Sequence, residues 1–188
     1  MRRVIFLFLT LALVAPTVRA GELAAVTMPD EVTVSGTTLH LNGMGLRKKM
    51  MFKIYVAGLY LEERTHDGAA AVGAAGKKRV VMHFTTNKAK KSKMDAAWVE
   101  GFEANSPGEY SALADRVKTF KDFFGDMKVG DEIECTMVPG QGTTVKLNGE
   151  LKGTIERDDF AAALLRVWLG VKPPTDDLKN GMLGAGSL

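Results

Sequence analysis

Alternating apolar and polar residues predict β-strands in the first half of the chain. Residues 31–43, EVTVSGTTLHLNG, alternate on either side of Ser35-Gly36, a pair that suits a tight turn, and they predict a β-hairpin. From Leu46 to Leu61 apolar residues recur with a period of two on both faces, which predicts one long, largely buried strand. Residues 79–86, RVVMHFTT, predict the next strand.

The same alternation returns in the second half. The segments DEIECTMVP, TTVKLNG and ELKGTIE, between residues 131 and 156, predict three antiparallel strands. Asn148-Gly149 joins the last two, and this pair is a strong hairpin signal because both residue types tolerate positive φ.

Helical periodicity separates the two groups of strands. Residues 92–106 and 108–124 place apolar side chains at helical spacing and predict two amphipathic helices, with Ser92 or Asp95 as the candidate N-cap of the first. The alanine-rich residues 62–78 predict a connection with one or two helical turns, since its glycines weaken a longer helix.

Two further helices are predicted near the C-terminus. The first begins near Asp158, whose carboxylate can cap it, and ends at Gly170 before a pair of prolines. The second spans Thr175 to Met182. This order of elements indicates an α+β domain with a largely antiparallel sheet and helices on one face.

The first twenty residues have the pattern of a secretory signal peptide. The pair Arg2-Arg3 precedes an apolar run from Val4 to Ala15, and Val18-Arg19-Ala20 matches a small-x-small cleavage site. The run is shorter than the ~20 apolar residues of a membrane-spanning helix. We therefore expect cleavage after Ala20, a periplasmic or secreted protein that is not transmembrane once processed, and one domain over residues 21–188.

The charge balance changes once that segment is set aside. The chain has 25 Lys and Arg residues against 22 Asp and Glu residues, and three arginines belong to the predicted signal peptide. The remainder is formally neutral, which argues against nucleic-acid binding because such binding requires a basic surface. The lysines of NKAKKSK could contact phosphate or anionic lipid, although such a run is usually a solvated loop. They are Lys88, Lys90, Lys91 and Lys93.

Few residues suggest cofactor or metal chemistry. Cys135 is the single cysteine, and its strand context predicts a small buried hydrophobic residue rather than a nucleophile. His40, His66 and His83 lack the spacing of metal ligands. The sequence contains no phosphate-binding glycine loop and no G-x-S-x-G motif. We expect no cofactor and no metal.

An arginine precedes the most hydrophobic segment of the chain. In NGMGLRKKMMFKIYVAGLYLE, residues 42–62, the glycines predict a turn and Arg47 stands where the predicted strand enters an apolar layer. A buried arginine is costly unless it is paired, and its planar fork suits a carboxylate or a carbonyl group. The alternative interpretation is an exposed residue of a basic turn with Lys48 and Lys49.

Several segments carry a family resemblance. GLRKKMMFKIYVAGLYLE resembles the G-x-R turn and G-x-Y-L-E strand end of the chalcone isomerase family, and in particular its bacterial secreted chalcone isomerase-like members. WVEGFEAN, VGDEIECTMVPGQGTTVKLNGELKGTI and DFAAALLRVWLGVKPP are similar to later parts of the same family. The resemblance covers nearly all of the chain after the predicted signal peptide.

The resemblance implies an open-faced β-sandwich, with helices layered on a large antiparallel sheet and an apolar cleft between them. In the plant enzymes that cleft closes a chalcone to a flavanone. Arg47 matches the arginine that polarises the enone, and Asn105 matches an asparagine of the hydrogen-bond set. The alternative for Asn105, before Ser106-Pro107, is a helix terminator.

Three positions depart from the enzyme pattern. Tyr55 replaces an expected threonine, Trp98 replaces an expected tyrosine, and Val167 replaces an expected hydroxyl residue beside Trp168. Ring closure needs positioned donors and a stabilised enolate, so these changes disfavour chalcone cyclisation.

The leading hypothesis is a non-catalytic protein that binds a small apolar acid, fatty-acid-like or aromatic, in the cleft. Arg47 would hold the carboxylate, Tyr55 would supply a second donor, and Trp98 and Asn105 would complete the site. Trp98 at helical spacing is also consistent with a simple core residue. The alternatives are an isomerase, an intramolecular lyase for chalcone-like or other conjugated ketones with Arg47 as its catalytic residue, and a structural or partner-binding domain with a vestigial pocket.

Overall fold

A computed structural model describes residues 20–185 of the chain. In this range the strands are β1 (Ala20–Leu23), β2 (Val26–Pro29), β3 (Glu31–Val34), β4 (Thr37–Lys49), β5 (Phe52–Leu61), β6 (Lys78–Phe84), β7 (Glu132–Val138), β8 (Gly142–Leu147) and β9 (Glu150–Ile155). The helices are α1 (Gly68–Gly73), α2 (Lys91–Asn105), α3 (Tyr110–Asp122), α4 (Asp158–Leu169) and α5 (Asp176–Met182).

The strands β3 to β9 form one sheet in sequence order, and each neighbouring pair is antiparallel. Strands β1 and β2 form a separate two-stranded hairpin. The predicted α+β class with a large antiparallel sheet is confirmed, and the helices cover one face of that sheet.

Each face of β5 contributes to a different core. Ala57, Leu59 and Leu61 pack with side chains of the helices, while Val56 and Tyr60 pack on the opposite face, where the β1–β2 hairpin adds Val26 and Met28. The predicted period of two is therefore confirmed from Tyr55 to Leu61, whereas Ile54 lies on the face of Tyr55 and not on that of Val56. The sequence did not predict the covering hairpin.

The prediction of a single strand from Leu46 to Leu61 was wrong. The chain reverses at Met50-Met51, so the segment is divided between the end of β4 and all of β5. Met50 adopts φ 55°, although neither methionine is a residue that turns usually select.

The predicted glycine turn at residues 42–45 was also wrong, because β4 continues through it with only a register shift at Asn42. A Cβ atom on Gly45 would overlap the carbonyl oxygen of Leu178 in α5, and one on Gly43 would overlap the carbonyl oxygen of Gly181. These glycines allow α5 to lie directly against the strand.

The hairpins at Ser35-Gly36 and Asn148-Gly149 are confirmed, and all four residues have positive φ. The helices also lie where the periodicity predicted them. The predicted N-caps were wrong. Helix α2 begins after Lys90 without a side-chain cap. The Asp158 carboxylate accepts from the Gly140 backbone N–H and does not cap α4.

No helix within residues 20–185 is long and apolar enough to cross a membrane. The predicted signal peptide lies outside the described residues apart from the backbone of Ala20, and its cleavage stays a prediction.

Candidate functional site

A cavity of about 340 Å³ lies between the sheet and the helical layer. Its walls come from β4, β5, β6, α2, the last turn of α4 and the loop that follows α4. Most of the lining side chains are apolar, among them Ile54, Met82, Phe84, Met94, Val167 and Pro173.

A larger depression of about 640 Å³ lies on the outer side of α2, beside Lys121 of α3. It is largely open to solvent and contains three carboxylates, those of Asp95, Glu100 and Glu103. We regard it as surface relief, because a small-molecule site buries most of the surface of its ligand and this depression would leave a ligand exposed to solvent.

One row of side chains crosses three strands at the base of the enclosed cavity. Arg47 of β4 pairs with Tyr55 of β5, and Tyr55 pairs in turn with Phe84 of β6. The Tyr55 and Phe84 rings have their centroids 5.7 Å apart. Directly opposed residues share a face of a sheet, so all three side chains reach the same cavity.

A β-bulge adds a further residue to this wall. Tyr55 opposes Arg47 and Lys53 opposes Lys48, which leaves Ile54 as an extra residue in β5. Consecutive strand residues normally point to opposite faces, yet Ile54 and Tyr55 both line the cavity.

The Tyr55 hydroxyl is held by a helix. The Trp168 indole Nε1–H of α4 donates to the Tyr55 oxygen across 3.3 Å. Burial raises the pKa of Tyr55 to about 12, while this hydrogen bond and the charge of Arg47 lower it by smaller amounts. The phenol therefore remains protonated at any physiological pH and keeps its own O–H to donate.

Arg47 is half-buried at the cavity wall. Its Nη1 donates to the carbonyl oxygen of Lys48 across 2.6 Å. No carboxylate among residues 20–185 forms an ion pair with it. A guanidinium carries five N–H donors, so this geometry leaves it able to bind an anion.

Trp98 of α2 forms the opposite wall and is 5% exposed. Its ring packs edge-on against Trp168, with centroids 5.4 Å apart, and against Phe120 at 5.0 Å. Its indole Nε1 is buried without a hydrogen-bond partner in the described part of the chain. Trp98 is thus both a core residue and a cavity residue.

The structure places Asn105 away from the cavity wall. Its amide nitrogen donates to the carbonyl oxygens of Gly101 and Lys172, and its amide oxygen accepts from the Lys172 backbone N–H across 2.9 Å. Asn105 is the last residue of α2 and fastens the loop after α4 to it. This arrangement agrees with the helix-terminator alternative, because both polar atoms of the side chain are hydrogen-bonded to backbone groups.

The cavity has an asymmetric charge. One carboxylate, that of Glu100, stands among the lining side chains. The lining cations are Arg47, Lys49, Lys88, Lys93 and Lys172.

Cys135 lies in the core of the sheet, where burial raises the pKa of its thiol. Within residues 20–185, no group of His, Cys, Asp or Glu side chains could hold a metal ion. Among the described residues, the chemistry available to the cavity is therefore that of hydrogen-bond donors and apolar walls, with no assembled metal centre and no activated thiol.

Comparison with known proteins assigns the family. Residues 20–184 match the sequence model of the family described as chalcone isomerase-like. The chain belongs to the chalcone isomerase-like family. No curated protein sequence is significantly similar to it.

Among solved structures, the fold is similar to the crystal structure of a fatty-acid binding protein from Arabidopsis thaliana. The two superpose with a TM-score of 0.68 at 14% sequence identity, over 89% of this chain and 97% of the other. The predicted chalcone isomerase-like fold, with helices layered on a large antiparallel sheet, is confirmed.

Sequence reasoning brought Arg47, Tyr55 and Trp98 forward, and the structure gathers them around one cavity. It missed Phe84 and Ile54, and it gave Trp168 no role toward Tyr55. The alternation in β6 could have indicated Phe84, but Ile54 depends on a bulge and the Trp168 contact joins residues far apart in the chain.

Proposed function

We propose that this protein binds a small apolar acid, fatty-acid-like or aromatic, in the enclosed cavity and does not convert it chemically. The apolar body would lie between the sheet and α2, and the carboxylate would lie against Arg47 and Tyr55.

The observation that carries this proposal is the direction of the Tyr55 hydrogen bond. Because Trp168 donates to the Tyr55 oxygen, the phenol keeps its own O–H to donate to a ligand in the cavity that Tyr55 lines. Arg47, its cross-strand partner, has donors and no acceptor. A ligand group that satisfies both must accept hydrogen bonds, and a carboxylate accepts two and also carries the complementary charge.

The apolar walls of the cavity favour a ligand whose part beyond the carboxylate is hydrocarbon. A volume of about 340 Å³ is at the small end of the range typical of ligand pockets, roughly 300–1,000 Å³. Methionine, isoleucine and aromatic side chains line it, so burial of hydrocarbon would supply much of the affinity. The similar fold of a fatty-acid binding protein supports the same ligand class.

The non-catalytic part of the proposal rests on three lining residues. Tyr55, Trp98 and Val167 occupy the positions where the enzyme pattern expects a threonine, a tyrosine and a hydroxyl residue, and all three line the cavity. Val167 removes a donor outright. The site thus keeps the means to hold an anion and lacks much of the set that ring closure requires.

The Arg2-Arg3 pair, the apolar run and the Val18-Arg19-Ala20 site support a periplasmic or secreted location after cleavage behind Ala20. N-terminal sequencing of exported protein should begin at Gly21. Recovery of the uncleaved chain from the cytoplasm would contradict this location.

Native mass spectrometry tests the binding proposal. Protein purified without added lipid should carry a bound small acid or, after delipidation, should take up one molecule of laurate. Dodecanol, which has the same chain without the carboxylate, is the matched control and should bind much more weakly. Failure to bind laurate, or equal binding of the alcohol, would overturn the proposal.

A further inference from the structure

The mouth of the cavity carries exposed apolar side chains. Met50 and Met51, at the turn between β4 and β5, are 91% and 86% exposed, and Phe52 beside them is 39% exposed. Val171, next to the lining residue Lys172, is 86% exposed. We name these four residues, together with the cations around them, the mouth face. Clustered exposed apolar residues of this kind mark interaction surfaces.

The Met50-Met51 turn contains no glycine, a property that it shares with the Ala24-Ala25 turn of the β1–β2 hairpin. The turns at Ser35-Gly36 and Asn148-Gly149 contain glycine, the residue that adopts positive φ without steric cost. Met50 adopts φ 55° without that advantage. The fold therefore holds two large apolar side chains at a tip where local conformation favours small or polar ones.

The same face concentrates positive charge. Lys88 lies with its Nζ 3.3 Å from the Phe52 ring centroid, and Lys49, Lys93 and Lys172 surround the opening. No carboxylate within residues 20–185 forms an ion pair with any cation of this face. Five of these cations line the cavity, namely Arg47, Lys49, Lys88, Lys93 and Lys172. The other two, Lys48 and Lys53, are exposed cross-strand partners that flank the Met50-Met51 tip.

This concentration is a local property of the molecule. Residues 21–188 are formally neutral, because their Lys and Arg residues equal their Asp and Glu residues in number. The mouth face carries seven cations and, among the cavity-lining residues, the single carboxylate of Glu100, so the remaining residues have a net negative formal charge. Such a distribution orients a protein toward a negatively charged surface.

We propose that the mouth face docks on an anionic lipid bilayer, so that the cavity opens toward the membrane. Lysines and arginines beside a membrane bind its anionic headgroups, and apolar side chains between them enter the boundary between headgroups and acyl chains. An acidic protein surface would explain the lysines but would not need two methionines at the most exposed point of a turn.

Docking would let an apolar acid pass between membrane and cavity without crossing water. In that respect the inference rests on the proposed function, although docking itself does not require the ligand. The two can fail separately, because vesicle binding and laurate binding are measured independently.

Co-sedimentation with lipid vesicles tests the inference. The full-length mature protein is mixed with phosphatidylcholine vesicles that contain or lack phosphatidylglycerol, at low and at high salt. We expect binding to the anionic vesicles at low salt and little binding to the neutral ones. Two double variants that leave the cavity lining intact examine the surface: Lys48→Gln with Lys53→Gln, and Met50→Ser with Met51→Ser.

The lysine variant should weaken vesicle binding roughly 25-fold, since each basic residue near an anionic membrane contributes roughly fivefold. The methionine variant should also lose most binding. Matched controls on the distant strands β8 and β9, Lys146→Gln with Lys152→Gln and, separately, Leu151→Ser, should change it less than twofold. All variants should still bind laurate in solution.

Three results would overturn the inference. The first is no binding to anionic vesicles at low salt. The second is an equal loss from both lysine pairs, which would indicate unspecific attraction. The third is vesicle binding that depends on the lysines but not on the methionines, accompanied by equal binding to polyglutamate, which would indicate an acidic protein partner. Loss of laurate binding with vesicle binding intact would instead contradict the proposed function alone.

Discussion

The Trp168 indole of α4 donates its hydrogen bond to the Tyr55 hydroxyl of β5, 3.3 Å away and 113 residues apart in the chain. This contact ties the helical layer to the sheet, and because the Tyr55 oxygen is the acceptor, the phenol keeps its own O–H to donate at the cavity wall. One hydrogen bond thus serves both stability and the polarity of the site.

Tyr55→Phe should therefore weaken two properties. Laurate affinity should fall by roughly 1.5 to 3 kcal/mol, the range for a hydrogen bond to a charged group. The free energy of unfolding should fall by about 1 to 3 kcal/mol, because the buried Trp168 N–H loses its acceptor. Calorimetric titration and urea denaturation measure the two quantities.

Tyr60→Phe is the matched control for this variant. Tyr60 lies in the same strand on the opposite face, where its hydroxyl donates to the Pro29 carbonyl oxygen across 2.9 Å. The Tyr60→Phe variant should have a lower free energy of unfolding and an unchanged affinity for laurate. If both variants bind laurate like the wild type, Tyr55 does not contact the ligand.

Arg47→Lys distinguishes a carboxylate-binding arginine from a solvated turn residue. Lysine keeps the charge but loses the bidentate fork, so laurate affinity should fall by roughly 1 to 3 kcal/mol with stability nearly unchanged. Arg64→Lys, an exposed arginine outside the cavity lining, is the control and should have no effect on affinity. Equal affinities for all three proteins would make Arg47 part of the scaffold alone.

Much of the fold followed from patterns that local chemistry enforces. The hairpins at Ser35-Gly36 and Asn148-Gly149 were predictable because their residues suit positive φ, and the two faces of β5 followed from its period of two. The turns at Ala24-Ala25 and Met50-Met51 were not, since Ala24, Ala25 and Met50 adopt positive φ against their own preference. Tertiary contacts determine those turns, and a sequence window does not contain them.

The site was predictable to a smaller extent. Arg47 was singled out by its place before an apolar segment, and the resemblance to chalcone isomerases added Tyr55 and Trp98. The structure brings all three to one cavity, while their ligand contacts stay a prediction. Asn105 fits the same motif but holds backbone groups of Lys172 and Gly101. The loop after α4 determines the direction of the Asn105 side chain by packing against the end of α2, and this loop is distant from Asn105 in the sequence.

The protein should not accelerate chalcone cyclisation measurably over the buffer rate. Val167 and Trp98 line the cavity where the enzyme pattern expects a hydroxyl residue and a tyrosine, so the hydroxyl donors that this pattern places around the developing enolate are missing at these two positions. Absorbance at the chalcone band follows the reaction directly. Turnover that disappears in Arg47→Ala would favour the isomerase alternative.

Asp159 makes part of the stability pH-dependent. Arg116 binds its carboxylate with two hydrogen bonds of 2.5 and 3.0 Å. This contact is the largest of the causes that lower the pKa of Asp159 to about 2. Because the pKa of Asp159 is lower in the folded protein than in the unfolded chain, the ionised carboxylate stabilises the fold at pH values above its unfolded-state pKa. That contribution is lost as the pH falls from about 4 toward about 2.

Asp159→Asn should reduce the free energy of unfolding by about 1 kcal/mol near pH 7, because solvent screens a carboxylate that is 38% exposed. The difference from the wild type should shrink below about pH 4. Urea denaturation across this range measures it, with the exposed Asp115→Asn as control. A difference independent of pH would mean that the ion pair contributes little.

Asn105→Ala should loosen one wall of the cavity without removing a ligand contact. Its amide holds the backbone N–H and carbonyl of Lys172, immediately before the lining residues Pro173 and Pro174. Loss of these partly exposed hydrogen bonds should lower the free energy of unfolding by about 1 to 2 kcal/mol. Ligand release should become faster, because the loop opens more often.

The choice of ligand separates this role from direct recognition. If Asn105 acts through the loop, Asn105→Ala should accelerate the release of laurate and of dodecanol by the same factor, as stopped-flow displacement would show. If the amide contacted the carboxylate, the release of laurate would change and that of the alcohol would not. Asn148→Gly, which removes an asparagine from the hairpin between β8 and β9, should leave both release rates unchanged. A laurate-selective effect would return Asn105 to the binding site that the resemblance implies.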